Sequence, residues 1–171
     1  MGCAGDGTIQ RMSALDVQLG LATQRDAHHL AALARDLIEA GLGWEYRPHR
    51  IASLIDDADT VTVVARGSML PIGFAAMRFG DERAHLILLA VQPRHQRHGV
   101  GRRLVSWLLE SARVAGVTSV HVELRAGNDK AYAFYRSLGF ADTFRIPGYY
   151  RGRETALRMI RMLAAPALGR S

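Results

Sequence analysis

The segment VQPRHQRHGVG, residues 91–101, joins two stretches of different periodicity. The stretch before it, AHLILLAV at 84–91, is almost continuously apolar and predicts a buried central strand. The stretch after it has the spacing of an amphipathic helix that ends at Gly116, with an apolar face formed by Leu104, Val105, Leu108, Leu109 and Ala112. Residues 84–116 therefore predict a strand, a turn that contains glycines, and a helix.

The turn has the properties of an anion-binding loop. Gly99 and Gly101 allow the backbone to turn tightly and to approach a ligand closely. The start of the helix offers free N–H groups and the positive end of the helix dipole, and Arg97, Arg102 and Arg103 add charge there. At this point a pyrophosphate-binding loop and a loop with glycines that only begin a helix are both open interpretations.

Three common phosphate-binding motifs do not fit the sequence. A Walker loop requires a lysine, and the only lysine, Lys130, lies far downstream. A dinucleotide-binding fingerprint requires a third glycine where Leu104 stands. The lysine and aspartate motifs of protein kinases are also absent from the sequence. If the turn binds a phosphate group, the ligand belongs to another class.

The other segments alternate between strand and helix periodicity. Strands are expected near 17–21, 60–65, 71–79, 117–125, 140–146 and 154–163, and helices near 23–38, 48–55 and 129–139. Thr23 is expected to cap the first of these helices and Asn128 or Asp129 the last, while Pro147-Gly148 is expected to separate the last two strands. The order β-α-α-β-β-β-α-β-α-β-β predicts an α/β domain with a mixed, mostly antiparallel sheet flanked by helices.

Composition indicates one globular domain. The chain has 171 residues, of which 49% are hydrophobic and 22% charged, and this excludes a disordered, collagenous or coiled-coil protein. The domain is expected at 15–163, between flexible tails at 1–14 and 164–171. The chain has one cysteine, no Cys/His grouping with zinc spacing, no signal-peptide core and no run of 18 apolar residues. These features predict a cytoplasmic protein without a metal or a membrane partner.

Positive charge is concentrated in the second half of the chain. Residues 1–93 carry a net charge of −3 and residues 94–171 a net charge of +9. A basic half favours a polyanionic partner, such as a nucleic acid, an acidic protein or a phosphorylated cofactor, although a solvated basic face is the ordinary alternative. The sequence shows neither the interleaved aromatic residues of an RNA-binding sheet nor a helix-turn-helix pattern. A nucleic-acid-binding module is therefore a distant alternative, and no nucleic acid is expected as a partner.

Two sequence blocks resemble the GNAT superfamily of N-acetyltransferases. The segment QRHGVG at 96–101 resembles the acetyl-CoA signature of that superfamily, Q/R-x-x-G-x-G/A, and ELRAGN at 123–128 followed by AFYRSLGF at 133–140 resembles its second block. The interval from Glu123 to Tyr135 and the GYY segment at 148–150 also resemble the bacterial ribosomal-protein-alanine N-acetyltransferases. The resemblance covers about 15–163. It implies a GNAT-type fold and the transfer of an acetyl group from acetyl-CoA to a primary amine, by direct attack in a ternary complex.

The resemblance also implies which residues bind acetyl-CoA. The backbone of Leu89, Ala90 and Val91 would pair with the pantetheine arm, and the N–H of Val91 would stabilise the oxyanion. The pyrophosphate would rest on the turn formed by Arg97, His98, Gly99, Val100, Gly101 and Arg102. Asn128 would contact the cofactor, although as a helix N-cap it also has a structural role.

Two catalytic side chains are implied in the same way. An amine must be neutral to attack, so a general base is useful near neutral pH, and Glu123 is the implied base. Strand alternation puts Glu123 on one face with His121 and Arg125. His85 is a rival base, or else a histidine with a structural hydrogen bond. Tyr135 is the implied acid that protonates the thiolate, and it also belongs to an apolar stripe of its helix.

The sequence specifies the acceptor amine less closely than it specifies the cofactor. The resemblance favours the amino terminus of a protein, and the alternative is a small amine such as an antibiotic, an amino acid or a polyamine. Trp44, Glu45 and Tyr46 lie in a region that shapes the acceptor pocket in the superfamily, and Tyr149 and Tyr150 lie in a loop expected to close over the amine. All of these side chains could instead serve only for packing.

Overall fold

The computed structural model describes residues 16–67 and 69–163. The two tails expected at 1–14 and 164–171 lie outside the described residues. Within the described ranges, no helix is long and apolar enough to span a membrane.

The described residues form the predicted series of strands and helices. The strands are β1 (Gln18–Leu21), β2 (Thr60–Arg66), β3 (Pro71–Phe79), β4 (Arg83–Val91), β5 (Ser119–Arg125), β6 (Ala141–Tyr150) and β7 (Glu154–Met162). The helices are α1 (Ala27–Leu37), α2 (Pro48–Asp56), α3 (Val100–Val114) and α4 (Asp129–Ser137). The predicted α/β class, with a mixed, mostly antiparallel sheet flanked by helices, is confirmed.

One seven-stranded sheet divides the core into two layers. The strand order is β1-β2-β3-β4-β5-β7-β6, and every neighbouring pair is antiparallel except β4 and β5. Adjacent strand residues point to opposite faces, so Phe74 packs with the cluster that contains Leu30 of α1 and Ile51 of α2, whereas Ala75 packs with the cluster that contains Leu108 of α3. Helices α1 and α2 thus cover one face of the sheet and α3 the other.

The helix ends follow the local sequence signals. Thr23 and Asp26 form a reciprocal capping box, and a 3₁₀ turn over Gln24–Asp26 precedes α1, which begins at Ala27. At α4 the cap is Asn128, whose side-chain oxygen accepts a hydrogen bond from the Ala131 N–H at 3.0 Å. Both predicted capping positions therefore have a physical role at the start of a helix.

The predicted break at Pro147-Gly148 is wrong, because β6 continues through it to Tyr150. The strand lies at the edge of the sheet, where the missing N–H of Pro147 leaves no interior ladder bond unmade. Pairing with β7 shifts register between Ile146 and Tyr150, so a bulge accommodates the two residues. The chain reverses over residues 151–153 instead. Consequently Tyr149 and Tyr150 belong to the end of a strand and not to a loop.

The central parallel pair opens at one end. Strands β4 and β5 pair at only three positions, the last of which joins His85 to His121. Beyond that position β4 continues to Val91 and β5 to Arg125 with no pairing between them. The edge of β4 that faces β5 is therefore unpaired, and the divergence of these two strands positions the candidate site.

Candidate active site

A cavity of 530 Å³ lies where β4 and β5 diverge. Its walls come from both strands, the start of α4, the end of β6 and the segment between α1 and α2. A second cavity of 450 Å³ lies beside α2 and shares Tyr46, His85 and Ile87 with the first. The side chain of His85 therefore borders both spaces.

The unpaired edge of β4 offers backbone hydrogen-bonding groups to the first cavity. The N–H of Gln92 donates to the Ile72 carbonyl of β3 at 2.9 Å. Because successive residues of an antiparallel strand direct their N–H and C=O groups to opposite sides, the backbone groups of Val91 and Leu89 are directed toward β5. Those of Ala90, between them, are directed toward β3. Of the three strand residues predicted to bind a cofactor, two thus face the opening and one does not.

The turn after β4 brings the start of α3 close to the same strand end. The Gln96 side chain donates to the Val91 carbonyl at 2.9 Å, and this holds the turn against β4. Gly99 has a φ of 80°, a left-handed conformation that favours glycine, and it is the residue that caps α3. The Arg102 guanidinium donates to the Ser137 hydroxyl at 2.8 Å, so its charge lies between α3 and α4. These features are those of an anion-binding helix start.

Strand register assembles a polar cluster beside the cavity. His85 is paired with His121 across β4 and β5, and Glu123 is paired with Arg158 across β5 and β7. The Glu123 side chain is only 3% exposed. Its Oε2 atom lies 2.5 Å from His85 Nε2. Its Oε1 atom accepts a hydrogen bond from Arg158 Nε at 2.7 Å and forms an ion pair with Arg158 Nη2, also at 2.7 Å. The His121 ring stacks on the His85 ring at 4.3 Å between centroids.

The electrostatics of this cluster keep Glu123 ionised. Burial alone would raise the pKa of Glu123, but the contacts from His85 and Arg158 outweigh it and hold that pKa below its usual value. Burial lowers the pKa of His121, and the charge of His85 lowers it further, so His121 is neutral near pH 7. Glu123 therefore remains a carboxylate beside the two imidazole rings.

Three atoms of the cluster could in principle ligate a cation. One ligand atom from each of His85, His121 and Glu123 lies within 4.8 Å of the others. The Glu123 carboxylate, however, already pairs with the Arg158 guanidinium, and that fixed positive charge opposes a metal ion at the same oxygen atoms. The donor set fits an arginine–carboxylate–imidazole network better than a metal centre.

Tyr135 of α4 is packed in the core and also borders the first cavity. Its ring packs edge-on against Phe134 and Phe140, with centroids 5.2 and 5.4 Å apart, and its side chain is almost fully buried. It also lines the first cavity together with Glu123 and Asn128. Burial raises the pKa of the Tyr135 phenol, and the nearby Tyr150 raises it further, so the hydroxyl retains its proton.

Glu39, which the sequence did not single out, and Arg125, which it placed only on the strand face of Glu123, hold the wall between α1 and α2. Buried Glu39 accepts hydrogen bonds from the N–H groups of Glu45 at 2.6 Å and Tyr46 at 3.1 Å. Arg125 of β5 donates to the carbonyls of Ile38 at 3.1 Å and Ala40 at 2.7 Å. No local pattern marks these roles, because the Arg125 contacts join residues 85 and 87 positions apart.

Comparison with known proteins agrees with this architecture. Residues 27–140 match the Acetyltransferase (GNAT) family. The chain belongs to this family. The predicted resemblance to GNAT proteins is therefore confirmed.

This GNAT chain is similar to bacterial alanine N-acetyltransferases. It is 38% identical over 89 residues to the [ribosomal protein bS18]-alanine N-acetyltransferase of Escherichia coli K12, a match that covers 50% of this chain and 60% of that relative. It is 34% identical over 141 residues to the N-alpha-acetyltransferase RimI of Mycobacterium tuberculosis, which covers 79% of this chain and 85% of the relative. The crystal structure of the Escherichia coli ribosomal-protein-S18-alanine N-acetyltransferase superimposes with a TM-score of 0.74 at 25% identity, over 91% of this chain and 99% of that one.

The acceptor-side predictions for this GNAT domain divide into two groups. Glu45, Tyr46, Tyr149 and Tyr150 line the first cavity. Trp44 instead packs against the α1–α2 core and lies near two guanidinium groups, those of Arg35 and Arg47. Trp44 thus takes the packing role that the sequence left open.

Two arginines of β7 have different structural partners. Arg158 pairs with Glu123, as described above. Arg161 donates to the Leu138 carbonyl at 2.5 Å, and it therefore supports the end of α4.

Proposed function

We propose that this chain catalyses the transfer of an acetyl group from acetyl-CoA to the α-amine at the amino terminus of a protein, in the cytoplasm. The observation that carries the proposal is the divergence of β4 and β5, which opens a cavity bordered by an unpaired backbone edge and by Glu123 and Tyr135. The alanine N-acetyltransferase relatives support a protein amino terminus as the acceptor.

The described residues fit acetyl-CoA. Leu89 and Val91 would pair through their backbone with the amide-bearing arm, and the turn from Arg97 to Arg102 with the α3 amino terminus would hold the pyrophosphate. Asn128 lines the cavity, so a contact with the cofactor is compatible with its role as a cap. When bound, acetyl-CoA supplies a thioester whose carbonyl carbon an amine can attack.

The chain's own groups would perform three tasks in this reaction. The N–H of Val91, directed at the opening, would donate to the oxygen that gains negative charge. The cluster of Glu123 and His85 would accept a proton from the amine. The Tyr135 hydroxyl would give its proton to the departing sulfur atom. Each task uses a group that lies at the same cavity or at its strand edge.

An α-amine suits a weak base of this kind. The pKa of an α-amine is about 8, well below that of a lysine side chain. Near neutral pH a larger fraction of α-amines is therefore already neutral, and less proton removal is required of the base. Access to the cavity also favours an α-amine. Tyr46, Tyr149 and Tyr150 narrow the acceptor side of the cavity, which limits the size of the group that can enter. A free chain end can enter such a space more readily than an internal side chain.

A single assay tests the acceptor. The chain would be incubated with acetyl-CoA and an alanine-starting ribosomal-protein peptide, the same peptide with a blocked amino terminus but a free lysine, and a panel of small amines. We expect thiol release and the mass increase of one acetyl group with the first peptide alone. Acetylation only of the lysine or of the small amines would overturn the amino-terminal assignment. Absence of any product, when calorimetry shows acetyl-CoA binding, would overturn both acceptor classes.

A further inference from the structure

We propose that His85 removes the proton from the acceptor amine through its Nδ1 atom, while Glu123 and Arg158 act as positioning residues that fix the imidazole. The inference rests on the proposed acetyl transfer and changes the identity of the base. The predicted base, Glu123, becomes the partner that orients His85.

Glu123 is poorly placed to meet an amine itself. Its side chain is 3% exposed, and both of its oxygens are engaged, one by His85 and the other by the Arg158 guanidinium. An incoming amine would have to displace one of these partners and leave a buried charge without it, which is costly. The contacts from His85 and, to a smaller extent, from Arg158 also outweigh burial and keep the pKa of Glu123 low, so this carboxylate is a weak proton acceptor.

The contact with Glu123 decides which nitrogen of His85 is basic. An ionised carboxylate only accepts hydrogen bonds, so a neutral imidazole 2.5 Å from it through Nε2 carries its hydrogen on Nε2. The lone pair is then on Nδ1. Among the residues that the structure describes, none forms a hydrogen bond with Nδ1. The side chain is 32% exposed and borders both cavities, so an amine can reach the ring.

The groups around His85 allow its ring both to accept a proton and to release it. On the β3 side, His85 has Arg78 as its register partner, and Tyr46 and Arg50 lie across the second cavity. On the other side lie His121 and Glu123 of β5, with Arg158 of β7 behind Glu123. The Glu123 carboxylate stabilises the imidazolium, and stacking on neutral His121, with ring planes 12° apart, holds the ring without adding charge.

The proposed step balances without another reactant. An N–H bond of the acceptor ammonium breaks, its electron pair stays on the amine nitrogen, and the proton forms the Nδ1–H bond of an imidazolium. The neutral amine then attacks with that electron pair. His85 later releases the proton to solvent, to which its ring is partly exposed.

Nitrogen NMR of the full chain tests the geometry without acceptor or cofactor. With ¹⁵N-labelled histidine, the His85 signals should show a neutral ring protonated on Nε2. In Glu123→Gln the preference for the Nε2-protonated ring should weaken, because the carboxylate that accepts the hydrogen bond from Nε2 has gone. A ring protonated on Nδ1, or a tautomer balance that does not change in Glu123→Gln, would overturn the proposal. Because no acetyl transfer is measured, this result is independent of the proposed function.

Kinetics separate His85 from Glu123 as the base. His85→Gln, whose amide can still donate to Glu123, should lower kcat by about 100-fold at neutral pH, with acetyl-CoA affinity unchanged. Glu123→Gln keeps the imidazole and should lower kcat less. His28→Gln, an exposed histidine on α1, is the matched control and should behave as wild type. A loss of kcat in Glu123→Gln that equals or exceeds the loss in His85→Gln would refute the assignment. Circular dichroism confirms that each variant is folded.

Discussion

Gly73 of β3 lies opposite Val91 of β4, and the space between them has no room for a side chain. A Cβ atom at position 73 would be 2.8 Å from the carbonyl oxygen of Ala90 and 3.3 Å from the Cα of Val91. The first of these contacts is with backbone and is shorter than real Cβ contacts, so β4 would have to move. Gly73 therefore fixes the position of the strand end that carries the proposed oxyanion donor.

Gly73→Ala should damage both stability and turnover. Overpacking of this kind costs about 1–3 kcal/mol in the free energy of unfolding, and displacement of Val91 should lower kcat. Denaturant unfolding and thiol release measure the two effects. Gly20→Ala is the control, because a Cβ on that strand glycine would meet nothing within 4 Å. Equal behaviour of the two variants would show that β4 tolerates the added methyl group.

Arg125 should affect the acceptor more than the cofactor. Arg125→Met removes the hydrogen bonds to the carbonyls of Ile38 and Ala40, which hold the wall between α1 and α2. Loss of about 1.4 kcal/mol of positioning energy corresponds to a rise of roughly tenfold in the KM for the acceptor peptide. The acetyl-CoA dissociation constant should not change. Arg145→Met, on exposed β6, is the control, and a KM that rises equally in both variants would point to net charge as the cause.

Asp26 should make stability depend on pH at the acid end. Burial alone would raise its pKa, but the hydrogen bonds from Arg66 and Thr23 outweigh this and hold it below the usual value. A carboxyl group whose pKa is lowered by folding stabilises the fold fully above its unfolded pKa of about 3.9, and that stabilisation is lost as the pH falls through the folded value. Asp26→Asn should therefore cost about 1–3 kcal/mol at pH 7 and progressively less below pH 4.

Asp36→Asn is the matched control for that measurement. Asp36 is exposed on α1 and, among the described residues, pairs with its neighbour Arg35 alone, at 2.7 Å. Surface pairs of this kind contribute little to stability. Denaturant unfolding of both variants at several pH values should show a pH-dependent difference for Asp26 alone. The same profile for both variants would contradict a special role for the network at the start of α1.

The parts of the fold that were predictable from the sequence have local causes. The α3 apolar stripe, the Asn128 cap and the glycine turn each depend on residues within about one or two helical turns of each other, so composition and spacing reveal them. The course of β6 was not predictable in this way. Pro147 breaks an interior strand but is tolerated at an edge, and the edge position follows from the strand order of the whole sheet.

In the candidate site, too, local features were predictable from the sequence and contacts between distant strands were not. The face shared by His121 and Glu123 follows from strand alternation, and the structure has it. The contacts of Glu123 with His85 and Arg158 depend on two strand registers that join residues 38 and 35 positions apart. The sequence presented His85 and Glu123 as rival bases, whereas the structure makes them hydrogen-bonded partners. No pattern within one segment carries that relationship.

Tyr135→Phe should separate the chemistry of this residue from its packing. The phenylalanine ring can keep the edge-on contacts with Phe134 and Phe140, so the melting temperature should be close to that of wild type. Loss of the hydroxyl should lower kcat by about tenfold or more, as removal of a general acid does. Tyr132→Phe on the same helix is the control, because its hydroxyl only reaches the exposed Asp142 at 3.2 Å. Steady-state thiol release compares the variants. A Tyr135→Phe turnover equal to that of Tyr132→Phe would assign Tyr135 to the core and leave the sulfur to be protonated by water.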